Sequence, residues 1–193
     1  MNCSNESTHT RRVEILVGSN VPRGAPLTLV LGGARSGKSC YAESLITALP
    51  PPWIYVATAE PGDAEMAERI VAHRARRGGD WRTLETSRDL VQALATQAGM
   101  PLLVDCLTLW LSNALVAGAD IGAEIERLES AVARATAPLV LVANEVGFGI
   151  VPDNALGRRF RDAQGKLNQR IAARANRVML VVAGLPLTLK GDR

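Results

Sequence analysis

Leu27 to Ser39 reads LTLVLGGARSGKS, and this stretch decides the fold. Four of its first five residues are apolar and predict a buried strand. Its tail, Gly32-Gly33-Ala34-Arg35-Ser36-Gly37-Lys38-Ser39, fits the pattern G-x-x-x-x-G-K-[ST] at every fixed position. The glycines let the backbone turn tightly, so that successive N–H groups face phosphate oxygens. Lys38 reaches the β- and γ-phosphates in such a loop, and the Ser39 hydroxyl binds Mg²⁺. The positive end of the following helix dipole adds to the same spot. A glycine-rich turn that binds nothing is the competing reading. An apolar strand before the motif and a helical segment after it argue instead for nucleoside triphosphate binding.

Outward from this stretch, apolar runs alternate with segments of helical period. Strands are expected at Leu27–Leu31, Trp53–Thr58, Pro101–Leu107, Leu139–Glu145 and Val178–Ala183, with a short strand at Trp81–Glu85 and an edge strand at Leu185–Lys190. Helices are expected at Lys38–Leu49, Asp63–Arg77, Ser87–Gln97, Thr108–Ala117, Ile121–Arg134 and Asn154–Ala175. Unbroken apolar strands such as LVLVA and VMLVV suit a parallel sheet covered on both faces. The pattern predicts an α/β fold with a mostly parallel central sheet flanked by helices, and ligands at the carboxyl ends of the strands. Residues 1–26 are set apart as a flexible N-terminal extension, with 27–193 as a single catalytic domain.

A chain of 193 residues can bury a sizeable core as one domain. Of its 22 basic residues, 19 are arginine, yet the formal net charge is only +3, which argues against nucleic acid as a partner. No run approaches the about 18 apolar residues of a membrane span. The N-terminus lacks the basic start and long apolar centre of a signal peptide, so a cytoplasmic location is expected. Cys3, Cys40 and Cys106 have no metal-ligand spacing and read as small hydrophobes of a reducing compartment.

Asp105 ends the apolar run Pro101-Leu-Leu-Val. It reads either as the acid that holds a P-loop's Mg²⁺ or as a cap for the helix that follows. His73 lies in DAEMAERIVAHRARR, with Met66 and Ile70 on the same helical face and Arg74, Arg76 and Arg77 after it. A lone histidine there is ordinarily packed or solvated. Neighbouring cations, however, keep an imidazole neutral and nucleophilic, and the same arginines can hold phosphates in line for attack. Glu85 closes WRTLE and is either a solvated carboxylate or an acceptor for a guanine edge. Asn144 and Glu145 end an apolar strand and run into Gly147-Phe148-Gly149-Ile150-Val151-Pro152, which suggests a site loop rather than a plain connection. Arg158, Arg159, Arg161 and Asp162 then open a helix whose polar face is either solvated or docks a large acidic or amide-bearing substrate.

Taken in order, GGARSGKS, YVAT, the His73-Arg74 pair, WRTLE, LVDCLTLW, NEVGFGIVP and RDAQGKLNQRIA resemble the bifunctional adenosylcobinamide kinase/adenosylcobinamide-phosphate guanylyltransferases of cobalamin biosynthesis. The resemblance runs from about Leu29 to Lys190. It implies a RecA-like P-loop fold and two reactions: phosphorylation of adenosylcobinamide by ATP or GTP, then transfer of GMP from GTP to adenosylcobinamide phosphate. It also implies a guanylylated histidine at His73, with Lys38 as the second catalytic residue. GTP contacts would fall on Gly32, Gly33, Ala34, Arg35, Ser36, Gly37, Lys38, Ser39, Thr58, Ala59, Glu60, Arg74, Ala75, Arg76, Arg77, Glu85 and Asp105, with Ser39 and Asp105 holding Mg²⁺. A homo-oligomer, trimer or dimer, is implied as well. Two other readings of the P-loop stand beside this one, a monofunctional small-molecule kinase and a RecA-like ATPase.

Overall fold

The computed structural model describes residues 25–60, 77–97 and 99–191, and between 60 and 77 only 62, 68, 70, 71, 74 and 75. In chain order the described elements are β1 (Leu27–Gly32), α1 (Lys38–Thr47), β2 (Trp53–Ala57), β3 (Trp81–Glu85), α2 (Leu90–Thr96), β4 (Leu102–Asp105), α3 (Leu107–Val116), α4 (Ile121–Ala133), β5 (Leu139–Asn144), α5 (Ala155–Arg174), β6 (Arg177–Val182) and β7 (Leu185–Lys190). Within the segment expected to be helical over 63–77, Glu68, Ile70, Val71, Arg74 and Ala75 are helical.

The seven strands form one sheet in the order β3-β2-β4-β5-β1-β6-β7. Every neighbouring pair is parallel except β6–β7, a hairpin that closes one edge. Alternate side chains of each strand face opposite sides of the sheet, and both sides are covered. Val30, Val140, Val142 and Val181 face α1, which presents Ala42 and Ile46. Leu29, Leu31, Val104 and Leu141 face the other way, against Leu90, Trp110, Leu128, Leu167 and Ile171 from α2, α3, α4 and α5. Removing such side chains from water stabilises the fold by roughly 1.5–3 kcal/mol each. The mostly parallel α/β sandwich read from the sequence is therefore the fold observed.

Local chemistry sets the element ends. Asp120 caps α4 by accepting from the Ala123 N–H at 3.2 Å, and Asn154 caps α5 by accepting from the Gly157 N–H at 2.7 Å. The strand expected over 101–107 is shorter than predicted and stops at Asp105, and Leu107 already belongs to α3. Thr58 explains the break. Its hydroxyl donates to the Cys106 carbonyl at 2.6 Å and accepts from the Cys106 N–H at 2.9 Å, occupying both groups that a longer ladder would use. Among the described residues, no helix is long and apolar enough to cross a membrane.

Candidate functional site

β1 ends at Gly32, opposite Asn144 of β5 on one side and Val181 of β6 on the other. The loop Gly33–Gly37 thus leaves the sheet between two strand ends. A side chain on Gly32 would place its Cβ 2.4 Å from the Ser36 hydroxyl and 2.6 Å from the Val181 carbonyl, so only glycine fits. The turn between β6 and β7 braces the loop from outside: the Gly184 N–H donates to the Ser36 carbonyl at 2.8 Å.

Lys38 opens α1 and is buried, and its ammonium donates to the Gly33 carbonyl at 3.0 Å. Burial lowers its pKa from the ordinary 10.5, opposed by Cys106 and Asp105. The ammonium thus has one loop carbonyl as hydrogen-bond acceptor and Asp105 near enough to favour its charge. Phosphate oxygens in the cleft would give it further charged acceptors.

Asp105 stands at the end of β4, separated from β1 by β5. The N-cap of α3 is Cys106, with no side-chain capping bond, so the capping role for Asp105 is not the one observed. The carboxylate instead accepts from the Tyr55 hydroxyl at 3.0 Å. Burial, and next the charge of Asp105, raise the Tyr55 pKa far above the ordinary 10.0, so the phenol remains a donor at any working pH. Above the Tyr55 ring lies the Arg77 guanidinium, 3.6 Å from the centroid, and Trp81 meets the ring edge-on with centroids 6.0 Å apart. The Nε and Nη1 atoms of Arg77 are buried without a hydrogen-bond partner. Burial also pushes the Cys106 thiol up to about 11, which makes it an inert packing group rather than a nucleophile.

Lys38, Tyr55, Arg77, Asp105 and Cys106 line a cleft of about 500 Å³ at the carboxyl end of the sheet. Of the residues named from the sequence, it brings together Ala34 to Ser39, Ala59, Arg74, Arg77, Glu85 and Asp105. Arg74 and Glu85 form an ion pair there, both about half exposed. Ile70, Tyr55 and Asn144 also line the cleft. Gly32, Gly33, Glu60 and Ala75 are not part of the lining, and Thr58 is fully buried behind it, its hydroxyl already occupied by Cys106. His73 and Arg76 lie outside the described residues.

Magnesium takes few protein ligands and keeps waters and phosphate oxygens, so a hydroxyl and a carboxylate facing one cleft suit it. Ser39 and Asp105 both line this cleft and offer these two ligand types. Among the described residues no cluster of three or more His, Cys, Asp or Glu offers a cage made wholly of side chains. A second tier of polar groups fixes the floor. The Thr108 hydroxyl accepts from the Asn144 N–H at 2.7 Å, and the Asn168 amide donates to the Asn144 carbonyl at 3.1 Å. The Asn113 amide donates to the Thr58 carbonyl at 3.0 Å. Sequence reasoning missed Tyr55, Thr108 and Asn113. The available signal was weak: a tyrosine hydroxyl inside an otherwise apolar strand, and polar residues on the inward face of an apolar helix.

The family described as cobinamide kinase / cobinamide phosphate guanyltransferase matches residues 28–189. A bifunctional adenosylcobalamin biosynthesis protein CobP of Pseudomonas aeruginosa is 48% identical over 168 residues, which cover 85% of this chain and 97% of that protein. The proteins named bifunctional adenosylcobalamin biosynthesis protein CobU are 43% identical in Salmonella typhimurium and 41% in Escherichia coli, covering 85% of this chain and 99% of each.

Proposed function

The chain belongs to the cobinamide kinase / cobinamide phosphate guanyltransferase family, and on that premise we propose that it carries out both reactions on one nucleotide cleft. In the first, the aminopropanol hydroxyl of adenosylcobinamide attacks the γ-phosphorus of ATP or GTP, and the nucleoside diphosphate leaves. Lys38 neutralises charge on the β- and γ-phosphates, while backbone N–H groups of the Gly33–Gly37 loop hold the phosphates in place. In the second, the His73 imidazole attacks the α-phosphorus of GTP and pyrophosphate leaves. The phosphate of adenosylcobinamide phosphate then displaces the imidazole, giving adenosylcobinamide-GDP. Bound Mg²⁺, held by Ser39 and Asp105, would supply charge neutralisation at the phosphates.

One observation carries this reading: Lys38 and Arg77, whose Nε and Nη1 have no hydrogen-bond partner, line the same cleft as Asp105 and the Arg74–Glu85 pair. Several positive groups in one cleft suit a polyphosphate that is attacked at more than one phosphorus. His73 follows Ile70 by three residues and precedes Arg74, both of which line the cleft. Glu85 supplies an acceptor for the N–H edge of guanine, which supports GTP as guanylyl donor. A single-activity kinase would use Lys38, Ser39 and Asp105 as well but would leave His73 without a role.

The test is incubation with α-³²P-GTP and Mg²⁺ followed by denaturing electrophoresis. Wild type is expected to carry an acid-labile, alkali-stable label, and His73→Ala none while it still phosphorylates adenosylcobinamide. Lys38→Ala is expected to lose both activities. An unlabelled wild type that still phosphorylates would leave a kinase alone.

A further inference from the structure

Where the corrinoid half of the acceptor sits follows from the loop after β5. Phe148, Ile150 and Val151 are 85%, 98% and 63% exposed, three large apolar side chains on one short stretch. Contiguous apolar exposure of this kind marks an interaction site rather than ordinary surface. This is not a loose excursion of the chain, because both ends of the loop are tied. The Glu145 carboxylate accepts from the Gly147 N–H at 2.7 Å. At the far end the Arg158 guanidinium donates to the Pro152 carbonyl at 3.0 Å and to the Asp153 carbonyl at 2.9 Å. An apolar surface held in water by its own hydrogen bonds is organised in advance for a ligand, which reduces the ordering cost of binding.

Its position identifies the occupant. Asn144, the last residue of β5, lines the nucleotide cleft and pairs in register with Gly32 at the start of the phosphate loop. The apolar loop therefore begins at the cleft wall and extends away from it. A corrinoid alcohol must bring a hydroxyl on a flexible arm to the γ-phosphate near Lys38, while its macrocycle, edged with methyl groups and amide side chains, stays outside. We infer that the Glu145–Pro152 loop is the docking surface for the corrin macrocycle of the acceptor. This inference rests on the function proposed above. The methyl-rich edge meets Phe148, Ile150 and Val151, and the ring amides meet the exposed backbone of the same loop.

The test compares the full-length protein with its Phe148→Ser/Ile150→Ser double variant, two substitutions at exposed positions that remove no core contact. Adenosylcobinamide binding is followed by the absorbance of protein-bound corrinoid after rapid gel filtration, and nucleotide binding with a fluorescent GTP analogue. Losing two buried apolar contacts predicts corrinoid binding weaker by at least about tenfold, with nucleotide binding within about twofold of wild type. Equal corrinoid affinity in the two proteins would overturn the inference and leave the functional reading intact. A change in particle mass by light scattering would also overturn it, assigning the loop to a contact between copies of the chain. A wild type that binds nucleotide but no corrinoid would overturn the functional reading and this inference together.

Discussion

Tyr55 illustrates how a single side chain tunes this site. Its hydroxyl donates to Asp105 while its ring face supports the Arg77 guanidinium, so one residue holds both a carboxylate and a cation. Tyr55→Phe keeps the ring and removes the donor. On the proposed role of Asp105 in holding Mg²⁺ for guanylylation, we expect the Mg²⁺ concentration for half-maximal activity to rise roughly tenfold, as for loss of a partner that orients a metal ligand, and stability to fall by about 1–2 kcal/mol. A magnesium titration and a urea melt check the two effects separately. Lys38 gives a pH dependence of definite sign. Burial lowers its pKa below 10.5, and only the ammonium form pairs with phosphate, so nucleotide affinity should fall as pH rises, with a midpoint below 10.5. Titration of a fluorescent nucleotide across the alkaline range reads this directly; unchanged affinity up to pH 10.5 would contradict it.

At the scale of elements, the β6–β7 hairpin matters more than an edge strand usually does. Its two-residue turn has positive φ at both positions, 52° at Ala183 and 79° at Gly184. That geometry is met at low cost by Asn-Gly, whereas alanine in the left-handed region is strained by about 1 kcal/mol. Ala183→Asn should therefore stabilise the protein by about 0.5–1 kcal/mol, seen as a higher midpoint in thermal melting. Because the Gly184 N–H also holds the Ser36 carbonyl, the hairpin and the phosphate loop are one mechanical unit. The sequence made the strand at Leu185–Lys190 legible. It did not make legible that the turn before it buttresses a loop some 150 residues earlier, since no local pattern encodes that contact.

For the whole molecule, a ligand that binds only the folded state must stabilise it. Nucleotide at about a hundred times its dissociation constant should add about 2.7 kcal/mol to the free energy of unfolding. Thermal melting with and without Mg-GTP should show an upward shift for wild type and little for Lys38→Ala. The sequence by itself determined the sheet's parallel character, the phosphate loop, the acid at position 105 and the family, because each is written in residues adjacent in the chain. Apolar runs of strand length fix burial on two faces, and G-x-x-x-x-G-K-S fixes a local backbone shape. Tertiary structure decided what depends on strand order. Placing β5 between β1 and β4 brings Asn144 to the wall that Lys38 and Asp105 share. It also decided that Asp105 answers to Tyr55 rather than capping a helix, and that Thr58 closes β4 from behind instead of lining the cleft. Those outcomes arise from hydrogen bonds between residues about fifty positions apart, and only packing the sheet between its helices brings such partners within reach.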